Sequence, residues 1–429
     1  MMIKILRQLG LIAAMLCAMS QPARALTPIP TPQPRAYMPL VLADEVRITP
    51  TRTPSPTLTQ TPSPTTTSTS TPTPQPTSQL WVSAYYVGYQ QNMLPVDDVD
   101  FSALTHIMVG RITPKTDGGL NTNFDIDDVQ GPAMAKALAQ RAHAANRKAI
   151  LMLGGAGEHA GFVGAASAAN RTKFVQNLLR VMDDYGFDGI DMDWEPIDAT
   201  DRAPLLALLK ALRAARPNML LTIPVGIVNI NFPGEVDSYY AEIAAVVDQM
   251  NIMSYDMSGN YGGWDSWHFG PLFGEAATRP TSIDSSVKRY VQVGVPKAKL
   301  GIGMGFYGSC YRGVSQPRVP LEGKNVSLGN SDNTMIYSAI AAQYVPKATR
   351  TFDAEAKVPY LSSATGVGPQ NCNFISYEDA ESIAAKGAYV KSQGLGGAII
   401  WTIAEGYTAS APVGQRDPLM QAVKAAFLN

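Results

Sequence analysis

The sequence predicts a (β/α)8 barrel with a small α+β insertion between its seventh and eighth strands. Three observations carry that prediction. From Leu80 onward, short apolar runs alternate with stretches of helical periodicity, the pattern of repeated strand-helix units around a parallel sheet. The runs number eight: Trp81–Gly88, Leu104–Ile112, Lys148–Gly154, Gly189–Glu195, Leu220–Val225, Gln249–Tyr255, Leu300–Tyr307 and Gly396–Thr402. The interval between the last two, about 309–393, is too long for one loop and one helix and must carry structure of its own.

Taken in order, residues 1–25 show Lys4 and Arg7, an apolar stretch from Leu9 to Met19, and Ala23-Arg24-Ala25, the three-part layout of a cleaved secretory signal. The stretch is shorter than the roughly 18 apolar residues a membrane span needs, so export with cleavage is expected, with no membrane attachment afterwards. Residues 26–79 are dominated by Pro, Thr and Ser and are expected to form an extended linker, broken by an apolar island at residues 37–43. Residues 80–429 hold the barrel. Its helices include Arg171–Tyr185 closed by Gly186, Ala203–Arg216 closed by Pro217-Asn218, and Val236–Val247. No Gly-rich dinucleotide fingerprint follows the first strand, which speaks against a doubly wound open sheet.

The 429 residues are 45% hydrophobic and 16% charged, enough apolar material for a large core. Net charge is −1, and −4 once the three cations of residues 1–25 are set aside, which argues against nucleic acid or an anionic membrane as partner. With three cysteines and four scattered histidines, no metal site and no cofactor are expected, and a monomer acting on a neutral substrate fits best. Cys17 is expected to leave with the signal. Cys310 and Cys372 remain as an even pair in an oxidising compartment, where a disulfide is expected and two buried thiols are the alternative.

The most informative stretch is FDGIDMDWEP, Phe187 to Pro196. Asp191, Asp193 and Glu195 alternate with Ile190, Met192 and Trp194, so a strand places the three acids on one face, pointing into the barrel. Burying carboxylates without partners costs several kcal/mol, so three in a row mark a working site. Active sites of this fold lie at the C-terminal strand ends, which puts Glu195 nearest the mouth. Asp188 has the opposite parity and is expected to tie down the start of the strand. Neighbouring acids push one carboxyl toward its neutral form, as a general acid requires. Acids projecting from one strand do not flank opposite faces of a sugar, so a conventional pair of carboxylates is not what this pattern provides.

DGIDMDWE resembles the DxxDxDxE signature of glycoside hydrolase family 18, the chitinase family. Collinear similarities support it: Gly154-Gly155, QMNIMSYD from Gln249 to Asp256, GFYG from Gly305 to Gly308, VPYL from Val358 to Leu361, and the stretch from Phe374 to Trp401. The resemblance implies a secreted hydrolase of β-1,4-linked N-acetylglucosamine polymers. Glu195 would be the proton donor, Asp193 would orient the N-acetyl group whose oxygen attacks, and Asp191 would share the proton of Asp193. Tyr255 and Asp256 would hold the acetamido group, Met253 would line the site, Trp401 would floor it, and Tyr86 would be an inward aromatic of the first strand. Two departures stand out. Met152 occupies a position where the family often has a serine, which leaves Asp191 short of a hydrogen-bond donor, and Pro196 follows the catalytic acid directly.

Trp264 and Trp267 lie in the Gly-rich loop NYGGWDSWHFG, where exposed indoles would be costly without a ligand, and Trp264 is expected to contact the leaving sugar. His268 is read as a hydrogen-bonding loop residue. The rival functions are an endo-β-N-acetylglucosaminidase acting on glycoprotein or peptidoglycan glycans, a divalent-metal hydrolase, and a chitin-binding lectin, the last disfavoured because Glu195 is present.

Overall fold

The computed structural model describes residues 80–330 and 332–429; the expected signal peptide, linker and apolar island lie outside them. Every sequence-predicted strand forms. In chain order they are β1 (Trp81–Val87), β2 (His106–Pro114), a two-residue antiparallel β3 (Leu120–Asn121), β4 (Lys148–Gly154), β5 (Gly189–Asp193), β6 (Leu220–Val225), β7 (Gln249–Ile252) and β8 (Leu300–Gly305). Five strands of a second sheet follow: β9 (Ser309–Arg312), β10 (Ser327–Asn330), β11 (Thr349–Asp353), β12 (Val358–Val367) and β13 (Cys372–Ser376). The last barrel strand is β14 (Gly397–Trp401). The order β1-β14-β8-β7-β6-β5-β4-β2 is parallel throughout, and the β1–β2 pairing closes the ring.

The helices are α1 (Gln130–Ala144), α2 (His159–Ala165), α3 (Arg171–Tyr185), α4 (Arg202–Ala215), α5 (Tyr239–Ala244), α6 (Ile283–Gln292), α7 (Tyr337–Gln343), α8 (Ala380–Gln393), α9 (Ile403–Gly406) and α10 (Pro418–Val423). Helix α3 ends where the sequence places its stop, because Gly186 takes the left-handed conformation at φ 80°. Helix α5 is shorter than the stretch Val236–Val247: Val236 is extended at φ −106° and ψ 111°, and the helix runs only from Tyr239 to Ala244. None of the helices among the described residues is long and apolar enough to cross a membrane.

The main core lies between strands and helices, where outward residues such as Ile190, Met192, Leu151 and Ile400 are fully buried. A second, smaller apolar cluster fills the barrel itself: Tyr85, Val87, Met108, Ile150, Met152 and Ile399, with Met253, Tyr255 and Trp401 packed on it toward the mouth. The insertion is an antiparallel sheet in the order β10-β9-β13-β12-β11 with α7, held by a Cys310–Cys372 disulfide between β9 and β13. Its bounds are tighter than about 309–393. Helix α8 buries Ile383, Tyr389 and Val390 in the main core, so it is the barrel's own helix and the insertion ends near Ser376.

Candidate active site

Strand β5 sets the site. Ile190 and Met192 are fully buried outward, and Trp194 stacks on Phe162 at 4.8 Å, while Asp191 and Asp193 point into the barrel and are also buried. Glu195, just past the strand, is half-buried at the mouth. The strand is anchored at its lower end by Asp188, which accepts from the Ala149 backbone N–H at 2.8 Å and pairs with Lys148 and His143, each at 2.9 Å.

The three acids are not equivalent. Asp191 accepts from the Tyr85 hydroxyl at 2.7 Å and from the Thr222 hydroxyl at 2.5 Å. Burial pushes its carboxyl up to about 6, and the two hydroxyl donors pull against that shift. Asp193 is pushed well above the ordinary carboxylate range, first by burial, then by the charges of Glu195 and Asp191. Glu195 is raised by burial and lowered by its hydrogen bond with Asp193. Burial and mutual charge thus favour a proton on the Asp193–Glu195 pair over two bare carboxylates. One oxygen of Asp193, Oδ1, is buried with no hydrogen-bond partner, an arrangement that costs about 1–3 kcal/mol and leaves an unmet polar atom beside the cleft.

That cleft has a volume of about 260 Å³ and is lined by Asp193, Glu195, Tyr85, Tyr255, Met253 and Trp401, together with Asp256, Tyr307, Asp332, Pro224 and Ala156. Burial and the surrounding carboxylates hold the Tyr255 phenol well above its ordinary range, so it stays a hydrogen-bond donor. Asp256, in the left-handed region at φ 53°, accepts from the Tyr307 hydroxyl at 2.5 Å. Trp401 ends β14 with its ring 5.2 Å from that of Tyr85, and its Nε1 faces Asp332 at a long 3.4 Å. A larger depression of about 510 Å³ lies on the insertion, but its lining of Ser315, Thr349, Ser362 and neighbours holds no acid, so the smaller cleft is the candidate site.

Gly154 and Gly155 form the turn after β4, both in the positive-φ region at 99° and 98°. A Cβ on Gly154 would come within 2.5 Å of the Asp193 carbonyl, and the Gly155 N–H donates to that same carbonyl at 2.7 Å. The turn can sit this close to β5 only without side chains.

Several expectations need correction. Tyr86 is not the inward aromatic: it packs with Val82 and Ala84 in the outer core and donates to the Leu94 carbonyl at 2.7 Å. Strand alternation gives the inward position to Tyr85, one residue earlier. Trp264 is not among the residues lining this cleft; it lies half-buried against the apolar cluster of Tyr311, Val314, Leu321 and Phe374, with Tyr261 edge-on at 4.9 Å. Trp267 is not an exposed indole: it is fully buried and donates from Nε1 to the Thr281 carbonyl. His268 is the hydrogen-bonding residue expected, held between Ser376 and Asp353. Asp191 does not lack donors, because Tyr85 and Thr222 supply what Met152 cannot. Thr222 and Tyr85 were readable from strand parity, and Tyr307 lies within the GFYG motif. Asp332 sits in the insertion and has no local signal.

Among the described residues one group, His159, Asp198 and Asp201, brings donor atoms within 4.8 Å of one another. Its members already bond each other: Asp201 Oδ2 accepts from the Asp198 N–H at 2.7 Å and meets His159 Nε2 at 2.8 Å. This contact fastens the turn after Glu195 to α2 and lies outside the cleft lining.

The architecture and the acid-bearing strand have close counterparts among known proteins. A family model described as glycosyl hydrolases family 18 matches residues 82–406. Chitinase 1 of Aphanocladium album is 30% identical over 343 residues, covering 73% of this chain and 78% of its own length. Chitinase A1 of Niallia circulans is 33% identical over 274 residues, but the match spans only 38% of its length. Among solved structures, the Ostrinia furnacalis group IV chitinase in complex with allosamidin superposes with a TM-score of 0.68 at 25% identity, covering 82% of this chain and 99% of its own. A class V chitinase from Nicotiana tobaccum shares the fold with a TM-score of 0.65 at 24% identity, over 81% of this chain and all of its own. The chain belongs to family 18 of the glycosyl hydrolases.

Proposed function

We propose that this glycoside hydrolase is a secreted chitinase that cleaves β-1,4-linked N-acetylglucosamine chains with retention, the substrate's own acetamido oxygen serving as nucleophile. The observation that carries this reading is the Asp193–Glu195 pair: two hydrogen-bonded carboxyls at the end of β5, with a buried, unpartnered Asp193 oxygen beside the cleft. The acetamido N–H is the donor that this oxygen lacks. When Asp193 turns to accept it, the proton passes to Glu195, which delivers it to the glycosidic oxygen as that bond breaks. Tyr255 donates to the acetamido carbonyl and holds it against the anomeric carbon, and Asp193 stabilises the positive oxazolinium that results. Water then attacks the anomeric carbon from the face that the leaving sugar vacated, opposite the oxazolinium oxygen, with Glu195 acting as base. Trp401 provides an apolar floor for the cleaved sugar, and Met253 fills the wall beside it.

Chitinases are also the named activity of the relatives above, and the proton-donating Glu195 is present, which favours an enzyme over a sugar-binding relative. The layout of residues 1–25 fits an enzyme sent to an extracellular polymer. The experiment is product analysis on a chitin hexamer with the anomers resolved. Initial β-anomeric products are expected; initial α-anomers would overturn the retaining reading. Failure to cut the hexamer together with release of glycans from glycoproteins would redirect the substrate to the endo-β-N-acetylglucosaminidase class.

A further inference from the structure

Arg111, near the end of β2, has no part in the reading so far, yet its guanidinium reaches the rear of the acid pair. Its Nη1 donates to the carbonyls of Gly154 at 3.1 Å and Ala156 at 3.4 Å, the two residues flanking Gly155. Its Nε pairs with Asp125 at 2.9 Å and its Nη2 with Glu158 at 3.5 Å. The side chain is 24% exposed, so it is fixed by four partners and largely withdrawn from solvent. The bare Cα of Gly155 is what lets it approach β5. A Cβ built there would lie 3.3 Å from Arg111 Nη1 and 3.5 Å from Asp193 Oδ2, which puts the guanidinium and the carboxyl within about 7 Å of each other across the glycine.

We propose that Arg111 is a positioning residue for the cleavage: it braces the Gly154–Ala156 turn that borders the cleft and holds a fixed positive charge against Asp193, so that the Asp193–Glu195 proton is released in the working pH range. The inference rests on the acid–base roles given above to Asp193 and Glu195. Around the guanidinium stand Asp125 from the loop after β3, Glu158 from the loop before α2, Asp193 from β5, and Tyr89 from the turn after β1, whose phenol also feels the Arg111 charge. Asp125 and Glu158, both paired with the guanidinium, offset part of that charge. Toward the acid column the net influence is still to favour the carboxylate form of Asp193, acting against burial and the two neighbouring acids.

The residue does two separable things, and two variants separate them. Arg111→Gln removes the charge and keeps one amide donor; Arg111→Lys keeps the charge but loses the planar fork that spans Gly154, Ala156, Asp125 and Glu158 together. The carboxyl titration is read directly, by NMR of protein labelled with 13C at the aspartate and glutamate side chains, with Asp193→Asn identifying the Asp193 signal. Arg111→Gln is expected to move the Asp193 titration upward by about half a pH unit, and Arg111→Lys to leave it near wild type. In activity, Arg111→Gln shifts the alkaline limb of the kcat profile upward, whereas Arg111→Lys loses kcat about tenfold with the limb in place. An Asp193 titration that does not move in Arg111→Gln overturns the proposal whether or not the enzyme cuts chitin. An absent activity with the titration shifted overturns the substrate reading and leaves the electrostatic role of Arg111 supported.

Discussion

The two faces of β5 are built from the same five-residue strand and its two following residues, yet they serve opposite ends. Outward, Ile190, Met192 and Trp194 are almost wholly buried, with the indole stacked on Phe162, and each methylene removed from water adds to stability. Inward, Asp191 and Asp193 are equally buried but gain nothing from it; desolvation raises both, and only hydroxyl donors and a shared proton make them tolerable. Burial of equal depth therefore means cohesion on one face and stored reactivity on the other, and side-chain period two keeps the two from interfering.

That contrast can be broken from either side. Glu195→Gln should leave melting temperature and oligosaccharide binding intact while lowering kcat by at least about a thousandfold, since the proton donor is gone. Trp194→Ala, one residue away but outward, should do the reverse: a loss of about 3–5 kcal/mol in denaturant unfolding, with the surviving folded fraction active. Asp193→Asn is expected to slow cleavage about a hundredfold with little loss of stability, and a destabilised but fully active variant would erase the distinction between the faces. Asp191 sharpens it through pH. An acid whose carboxyl is near 3.8 when unfolded and about 6 when folded binds its proton more tightly in the native state, so the contribution of Asp191 to stability is fully present below pH 4 and lost as pH rises through 6. The contribution is about 3 kcal/mol, and Asp191→Asn should flatten that part of the unfolding curve. The smallest effect belongs to Trp401→Ala, expected to raise KM for chitin oligomers about tenfold through lost stacking.

The same alternation explains what could be read in advance. Eight strands, the inward acids and the insertion all follow from local patterns, because apolar period and acid period are written in consecutive residues. On β1 the parity is legible only once the phase is known: Val82, Ala84 and Tyr86 share the outer core while Tyr85 and Val87 face the barrel, and apolar residues on both faces hide that phase in the sequence. The setting of Trp264 is illegible for a different reason: a Gly-rich loop gives no hint that the insertion's apolar cluster, Leu321 included, will pack against it. Arg111 and Asp332 act through partners distant in sequence, so nothing near them signals a role.

The claim at the centre is that the sugar supplies its own nucleophile while the acids of β5 move one proton. The direct test is a series of chito-oligosaccharides in which the acetyl group is replaced by mono-, di- and trifluoroacetyl, each step weakening the carbonyl oxygen as a nucleophile. The account predicts that kcat/KM falls steeply along the series, by about a hundredfold or more overall. A flat response, with a fluorosugar trapping Asp256 or another cleft carboxylate as a covalent glycosyl ester, would contradict it.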